Sequence, residues 1–307
     1  MWTRLRQLLE MIRFSHTVFA LPFALLAAEM AWCVPTVQGQ TVPFRWRELV
    51  GILVCMVCAR STAMAFNRLA DRELDRLNPR TRHRHLPAGI LTVRCVAVFA
   101  ALMAVGFVAG TTLFLPNRLP LYLALPVLGF LLAYSYTKRF TWAAHFWLGA
   151  ALMLAPIATW IALRGAAVLD DARDLLPAVT LGLAVLLWVA GFDIIYACQD
   201  VASDLRTGLH SVPARMGLRR ALQVAALCHL LMVCVLLTLP LGHYVGGPPL
   251  HLGWIYWTSI AAVGLLLVYE HRLVRPDDLS RANTAFFHVN AIISIGLFLV
   301  VTVDLWT

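Results

Sequence analysis

Of 307 residues, 61% are hydrophobic and 13% charged, with 25 lysines and arginines against 16 aspartates and glutamates. Ordinary soluble domains carry about 25% charged residues, so this composition excludes a soluble globular protein and points to one built into a lipid bilayer. The net charge of +9 does not indicate a nucleic-acid binder, because the basic residues are confined to short loops between apolar runs.

Apolar runs of about 17–25 residues, the length that crosses a bilayer as a helix, fall near 16–33, 49–66, 95–115, 119–136, 143–162, 176–196, 221–241, 251–270 and 285–306. Open sheet edges cannot sit in lipid. The expected fold class is therefore all-α: a multi-pass membrane bundle of nine transmembrane helices, in one domain over residues 1–307. The first run follows a basic segment and could mimic a signal peptide. It lacks a clear small-x-small cleavage site and is kept as a span. His16, which opens it, reads as an interfacial side chain.

The second span, which carries Arg60 in CARSTAMAFN, leads into NRLADRELDRLNPRTRHRHLPAG, residues 67–89. Asn67, Asp71 and Asp75 are spaced four apart. On a helix that puts three oxygen ligands on one face, about 6 Å of rise apart. Mg²⁺ takes one or two carboxylates and fills its other positions with water and substrate phosphate. The adjoining arginines, which include Arg68, Arg72, Arg76 and Arg80 and above all Arg82 and Arg84, can grip phosphate oxygens. The stretch reads as a diphosphate site at a membrane face.

Lys138, the chain's only lysine, follows the fourth span in YSYTKRFT beside Arg139. It is either a snorkelling interface residue or a compact point charge for phosphate. The sixth span leads into DIIYACQDVASDLRTGLHSVPARMG, residues 193–217. Asp200 and Asp204 are again four apart, and Asp193 lies seven before Asp200 on the same helical face. Asp193 and Tyr196 sit deeper. They either contact a second substrate and collect its proton or form a hydrogen-bonded pair that sets the helix end. Asp71 and Asp200 lie 129 residues and four spans apart, a weak internal repeat.

Seven cysteines, mostly in apolar runs, give no disulfide framework, and the pair Cys55 and Cys58 reads as packing. His83, His85 and His210 lack zinc spacing. Tryptophans such as Trp142, Trp147, Trp160, Trp254 and Trp257 read mostly as interface belts.

With the N-terminus in the cytoplasm, 20 of the 25 basic residues fall on the inner side and only Arg45, Arg47, Arg118, Arg164 and Arg173 outside. That obeys the positive-inside rule, sets both acidic motifs on the cytoplasmic face of a cell (inner) membrane, and leaves the C-terminus external.

NRLADRELD resembles the NxxxDxxxD motif of the UbiA superfamily of intramembrane prenyltransferases, and DIIYACQDVASD resembles its second motif, DxxYxxxDxxxD. The likeness extends to HTVFALPFA, RHLPAG and YSYTKRFT, and is strongest to enzymes that prenylate 4-hydroxybenzoate or the acceptor of the futalosine route to menaquinone. It implies a Mg²⁺-dependent aromatic prenyltransferase of quinone biosynthesis, in either the ubiquinone or the menaquinone route. It also implies that the YxxxKR segment, here Lys138 and Arg139, contributes to diphosphate binding.

The chemistry fits the residues. Four converging carboxylates repel by roughly 3 kcal/mol per pair at ~6 Å and an effective dielectric of ~20, a cost that metal ions and a polyanion remove. The expected catalytic residues are Asp71, Asp75, Asp193, Asp200 and Asp204, and the metal ligands Asn67, Asp71, Asp75, Asp200 and Asp204. The expected substrate contacts are Arg60, Asn67, Arg82, Arg84, Lys138, Arg139 and Tyr196, for a prenyl diphosphate and an aromatic acceptor. No obligatory protein partner is implied. A UbiA-type enzyme with a haem, homogentisate or lipid acceptor stays open. A transporter with an acidic pathway fits less well, since transporter sites lie near the midplane in interrupted helices.

Overall fold

A computed structural model describes residues 2–12 and 19–307; Arg13, His16 and the start of the first expected span lie outside these. The helices are α1 (Trp2–Met11), α2 (Leu21–Cys33), α3 (Trp46–Ala70), α4 (Arg72–Leu77), α5 (Val93–Thr111), α6 (Leu119–Thr137) and α7 (Ala144–Asp170). The remainder are α8 (Leu176–Ala197), α9 (Val201–Thr207), α10 (Val212–Met216), α11 (Leu218–Thr238), α12 (Trp254–Leu273), α13 (Ala282–Thr284) and α14 (Asn290–Trp306). Among the described residues there is no extended strand, only one isolated bridge between Arg275 and Asp278.

Every expected run is represented by a helix, but among the described residues seven segments are long and apolar enough to cross a membrane by themselves. The two that differ have plain reasons. α2 has only 13 residues, or about 20 Å of rise, short of the ~30 Å hydrocarbon core. α12 has 20 residues but includes Trp254, Tyr256, Trp257, Glu270 and His271, which dilute its apolar character.

Proline opens α2, α6, α8 and α10, where its missing N–H costs no helical bond. Thr92 and Ser211 cap α5 and α10 by accepting from the amides of Cys95 and Ala214. Gly208, at φ +67°, stops α9 in the left-handed conformation that glycine adopts most easily.

α8 is the axis of the core. Leu181, Ala184, Val185, Trp188, Val189 and Ile194 are all buried. Lipid tails are as apolar as leucine, so membrane helices associate through close packing over small residues. A Cβ at Gly149 of α7 would fall 2.4 Å from the Leu186 carbonyl of α8, and one at Gly191 of α8 would fall 2.3 Å from His229 Nε2 of α11. On the other flank, Gly106 and Gly110 of α5 sit against the thiols of Cys58 and Cys55 of α3. All seven cysteines are free. Arg164, expected in an outer loop region, stands at a non-helical kink in α7 (φ −122°, ψ 26°), where it is 2% exposed and pairs with Asp174.

The loops at the motif-bearing end are anchored too. Leu86 and Leu91, after the first motif, bury with Leu8 and Met11 of α1 and with Ile12 just after it. That contact holds the arginine-rich segment over the ends of α3 and α5.

Candidate active site

The two acidic motifs are alike in backbone as well as sequence. α3 ends at Asp71, with φ −95° and ψ 7°, and the 3₁₀ turn after α8 ends at Asp200, with φ −102° and ψ 0°. Both lie in the bridge region between helix and strand conformations. Each is followed by a short helix whose first turn carries the second carboxylate, Asp75 or Asp204. A single unbroken helix was expected for each motif. A break stands there instead, yet the amides of Asp71 and Asp75 still donate to the carbonyls four residues back, so the oxygens keep a common face.

Asn67, Asp71, Asp75, Asp193, Tyr196, Asp200 and Asp204 all line one cavity of about 250 Å³. Arg60, Arg84, Lys138 and Arg139 line it as well. Each carboxylate has a fixed partner. Asn67 Nδ2 donates to Asp71 at 2.9 Å, and Arg84 Nη1 donates to both oxygens of Asp75 at 2.7 and 2.9 Å. Ser211 donates to Asp204 at 2.8 Å. Arg80 Nε and Asn78 Nδ2 donate to Asp200 Oδ1 at 2.8 and 3.0 Å. Arg80 also donates to the Tyr196 hydroxyl and lies over its ring. Arg139 stands 3.6 Å from Asp71, with one nitrogen bonded to the Ala70 carbonyl.

Two groups at the membrane boundary report the field. Burial, and then the charge of Asp75, raise the Asp71 carboxyl above the usual carboxylate range, partly offset by Lys138 and Arg139. Burial alone would lower the Lys138 ammonium, but Tyr134 and the carboxylates of Asp193, Asp204 and Asp200 more than offset this and raise it. Lys138 therefore stays charged.

Arg82 is not brought to the cavity. It is exposed and its Nε faces His83. Arg80, two residues earlier, turns inward in its place because Asn78 accepts from the Arg80 amide and closes the turn. Of the other arginines adjoining the first motif, Arg68 and Arg80 also line the cavity, as do Asn78 and Tyr134, to which the sequence assigned no role. His145, which bonds Asp193 from behind at 2.7 Å, was likewise assigned no role from sequence.

A second, almost wholly apolar cavity of about 330 Å³ lies between α3, α5, α6 and α7. Both cavities share Arg60, Met64, Asn67, Tyr134, Leu148 and Leu152 in their walls. A polar chamber thus adjoins an apolar one, with Arg60 in the wall they share. Among the described residues no three carboxylates, imidazoles or thiols stand close enough to chelate an ion unaided. The donor set is carboxylate and amide oxygen in two halves beside guanidinium groups. It suits Mg²⁺ ions that complete their shells with phosphate oxygens and water.

The UbiA prenyltransferase family model matches residues 18–292. The 4-hydroxybenzoate octaprenyltransferase of Nitrosomonas europaea is 32% identical over 256 residues, covering 82% of this chain and 81% of that protein. The enzyme of the same name from Vibrio atlanticus is 28% identical over 257 residues, 82% of this chain and 84% of that one. A solved UbiA homolog from Aeropyrum pernix K1 superposes with a TM-score of 0.79 at 29% identity, over 94% of this chain and 98% of its own. A UbiA homolog from Archaeoglobus fulgidus, solved bound to GPP and Mg²⁺, shares the fold with a TM-score of 0.67 at 18% identity, over 96% and 99%.

Proposed function

Because the chain belongs to the UbiA prenyltransferase family, we propose that it transfers a polyprenyl group from a prenyl diphosphate to 4-hydroxybenzoate, an aromatic acid, in ubiquinone biosynthesis. The observation that carries this reading is the pairing of a polar chamber, lined by both acidic motifs, with an adjoining apolar chamber. One takes a diphosphate and the other its hydrocarbon tail. Relatives named 4-hydroxybenzoate octaprenyltransferase support the acceptor class.

Asn67, Asp71 and Asp75 on one side and Asp200 and Asp204 on the other would hold Mg²⁺, which supplies positive charge to the leaving diphosphate. Arg80, Arg84, Lys138 and Arg139 bind phosphate oxygens and stabilise the charge that grows as the C–O bond breaks. The apolar walls keep water from the allylic cation. Arg60 binds the acceptor's carboxylate at the junction of the chambers. Its Nε is buried with no hydrogen-bond partner, and a guanidinium pairs with carboxylate in a planar fork. Asp193 takes the proton that the ring loses.

This reading includes nine crossings in one domain, with α2 and α12 completing the seven long spans. The N-terminus and both motifs are cytoplasmic and the C-terminus external, a reading that the arginine distribution supports.

The test is direct. Membranes containing the protein, given octaprenyl diphosphate, 4-hydroxybenzoate and Mg²⁺, should release diphosphate and form prenylated acid in equal amounts. Donor turnover with no prenylated acid would refute the acceptor class.

A further inference from the structure

His145 of α7 is fully buried between two fixed partners. Its Nδ1 stands 2.7 Å from Asp193 Oδ2 of α8, and its Nε2 stands 3.3 Å from the Val212 amide at the start of α10. A backbone amide can only donate, so Nε2 must present its lone pair. The ring hydrogen is therefore on Nδ1 and is donated to Asp193. The histidine is thus a neutral link of defined tautomer. It ties the deepest cavity carboxylate to the loop that follows the second acidic motif.

We infer that His145 is a positioning residue that aims Asp193 at the aromatic acceptor and holds it back from the metal-binding carboxylates. The inference rests on the prenyl-transfer reading above. Asp193 precedes Asp200 by seven residues, two turns or about 10 Å of helix, and both line the same cavity. A carboxylate free to rotate there, close to Lys138 and to bound cations, would be drawn toward positive charge. With Oδ2 committed to His145, Oδ1 is left for the chamber. In the transfer step the allylic C–O bond breaks, a ring carbon bonds to the allylic carbon, and the diphosphate leaves with the bonding pair. The ring carbon then loses its proton to Asp193 Oδ1 and the ring recovers its aromaticity. The proton is afterwards released to water.

The side-chain amide nitrogen of asparagine falls near the position of histidine Nδ1, and that of glutamine near Nε2. Steady-state kinetics on the full-length protein in membranes should therefore separate His145→Asn from His145→Gln and His145→Leu. Gln and Leu should lower kcat by about 10²-fold, the lower end for a misaligned proton acceptor. KM for the prenyl diphosphate should stay unchanged, and Asn should retain most of the rate. His145→Leu combined with Asp193→Asn should be no slower than Asp193→Asn alone. A merely structural histidine would give multiplied losses in the double variant and no advantage of Asn over Gln, and either result overturns the inference. If the Leu variants fail to accumulate, the Asn and Gln comparison decides. Wild-type protein that makes no prenylated acid removes the prenyl-transfer reading and this inference with it. Wild-type transfer with an undiminished Gln variant removes this inference alone.

Discussion

Arg80 Nε donates to Asp200 Oδ1 at 2.8 Å, joining residues 120 apart in sequence. With the bond from Asn78 Nδ2 to the same oxygen at 3.0 Å, it ties the two halves of the polar chamber together. The same guanidinium reaches Asp200 Oδ2 and the Tyr196 hydroxyl. An ion or a diphosphate that engages Asp200 must therefore share that carboxylate with Arg80, and Arg80 is poised to pass from carboxylate to phosphate.

Arg80→Ala should weaken use of the prenyl diphosphate. Charge-assisted hydrogen bonds contribute about 1.5–3 kcal/mol, so kcat/KM for the donor should fall by about 10–100-fold. Arg80→Lys should recover little of this, because an ammonium cannot span both oxygens and the phenol as the fork does. Arg82→Ala, in the exposed neighbour, should change donor kinetics less than twofold. Equal losses at the two positions would contradict the placement of these side chains.

That contrast marks what the sequence makes legible. The fourfold spacing of Asn67, Asp71 and Asp75, and of Asp200 and Asp204, is enough to gather their oxygens, because helical periodicity alone does it. Which arginine of NPRTRHR turns inward is decided by Asn78, whose side chain accepts from the Arg80 amide. That is a turn detail which periodicity does not carry. His145 lies in an apolar run and has no sequence neighbour to explain it. Its meaning comes from Asp193 and Val212, 48 and 67 residues away. The helix breaks at Asp71 and Asp200 were likewise hidden, since neither glycine nor proline marks them.

Asp71→Ala and Asp204→Ala should each lower kcat by at least about 10²-fold, the scale of losing one preorganised electrostatic group, while membrane insertion persists. Excess chelator should abolish turnover, and Mg²⁺ should restore it. Normal turnover in either variant would end the two-motif metal reading.

The raised carboxyl of Asp71 gives this a pH signature. A group whose folded pKa lies above its unfolded value contributes stability below the unfolded pKa and loses it as pH rises through the folded one. Charged Asp71 therefore costs the protein stability until a cation compensates. The increment in thermal midpoint from Mg²⁺ with pyrophosphate should grow as pH rises through a point above the usual carboxylate range. Asp71→Asn should flatten that rise. A Mg²⁺ increment that does not depend on pH would count against this role for Asp71.

Asn290 controls a different part of the chamber. Residues Ala285–Val289, just before α14, form a π-helical turn. Asn290 Nδ2 donates to the Ala285 and Phe286 carbonyls within that turn and to Glu270 Oε1. Its Oδ1 accepts from the Trp188 indole. The turn presses Phe286 onto the Tyr196 ring, with centroids 4.3 Å apart. Asn290→Leu would strand several buried polar groups at about 1–3 kcal/mol each. The thermal midpoint should drop, and kcat should fall at temperatures where the variant is still folded. A variant as stable as wild type would refute this network.

The acceptor's charge is tested at Arg60. Placed inside α3, a guanidinium costs roughly 2.5–3.5 kcal/mol on membrane-insertion scales, and something must offset that. Glu29 and Asp174 are engaged elsewhere, with Thr302 and with Arg164 and Trp160 respectively, while Arg60 Nε has no hydrogen-bond partner. The side chain stands where the polar and apolar chambers meet, about 10 Å along the helix from Asn67, a distance of the order of an aromatic acid. Arg60→Ala should raise KM for 4-hydroxybenzoate by at least about 10-fold, the loss of one charge-assisted pair. KM for the prenyl diphosphate should move far less, and the preference for acids over uncharged phenols should weaken. If only the diphosphate constant moves, Arg60 serves the donor, and the carboxylate of the acceptor must be recognised elsewhere.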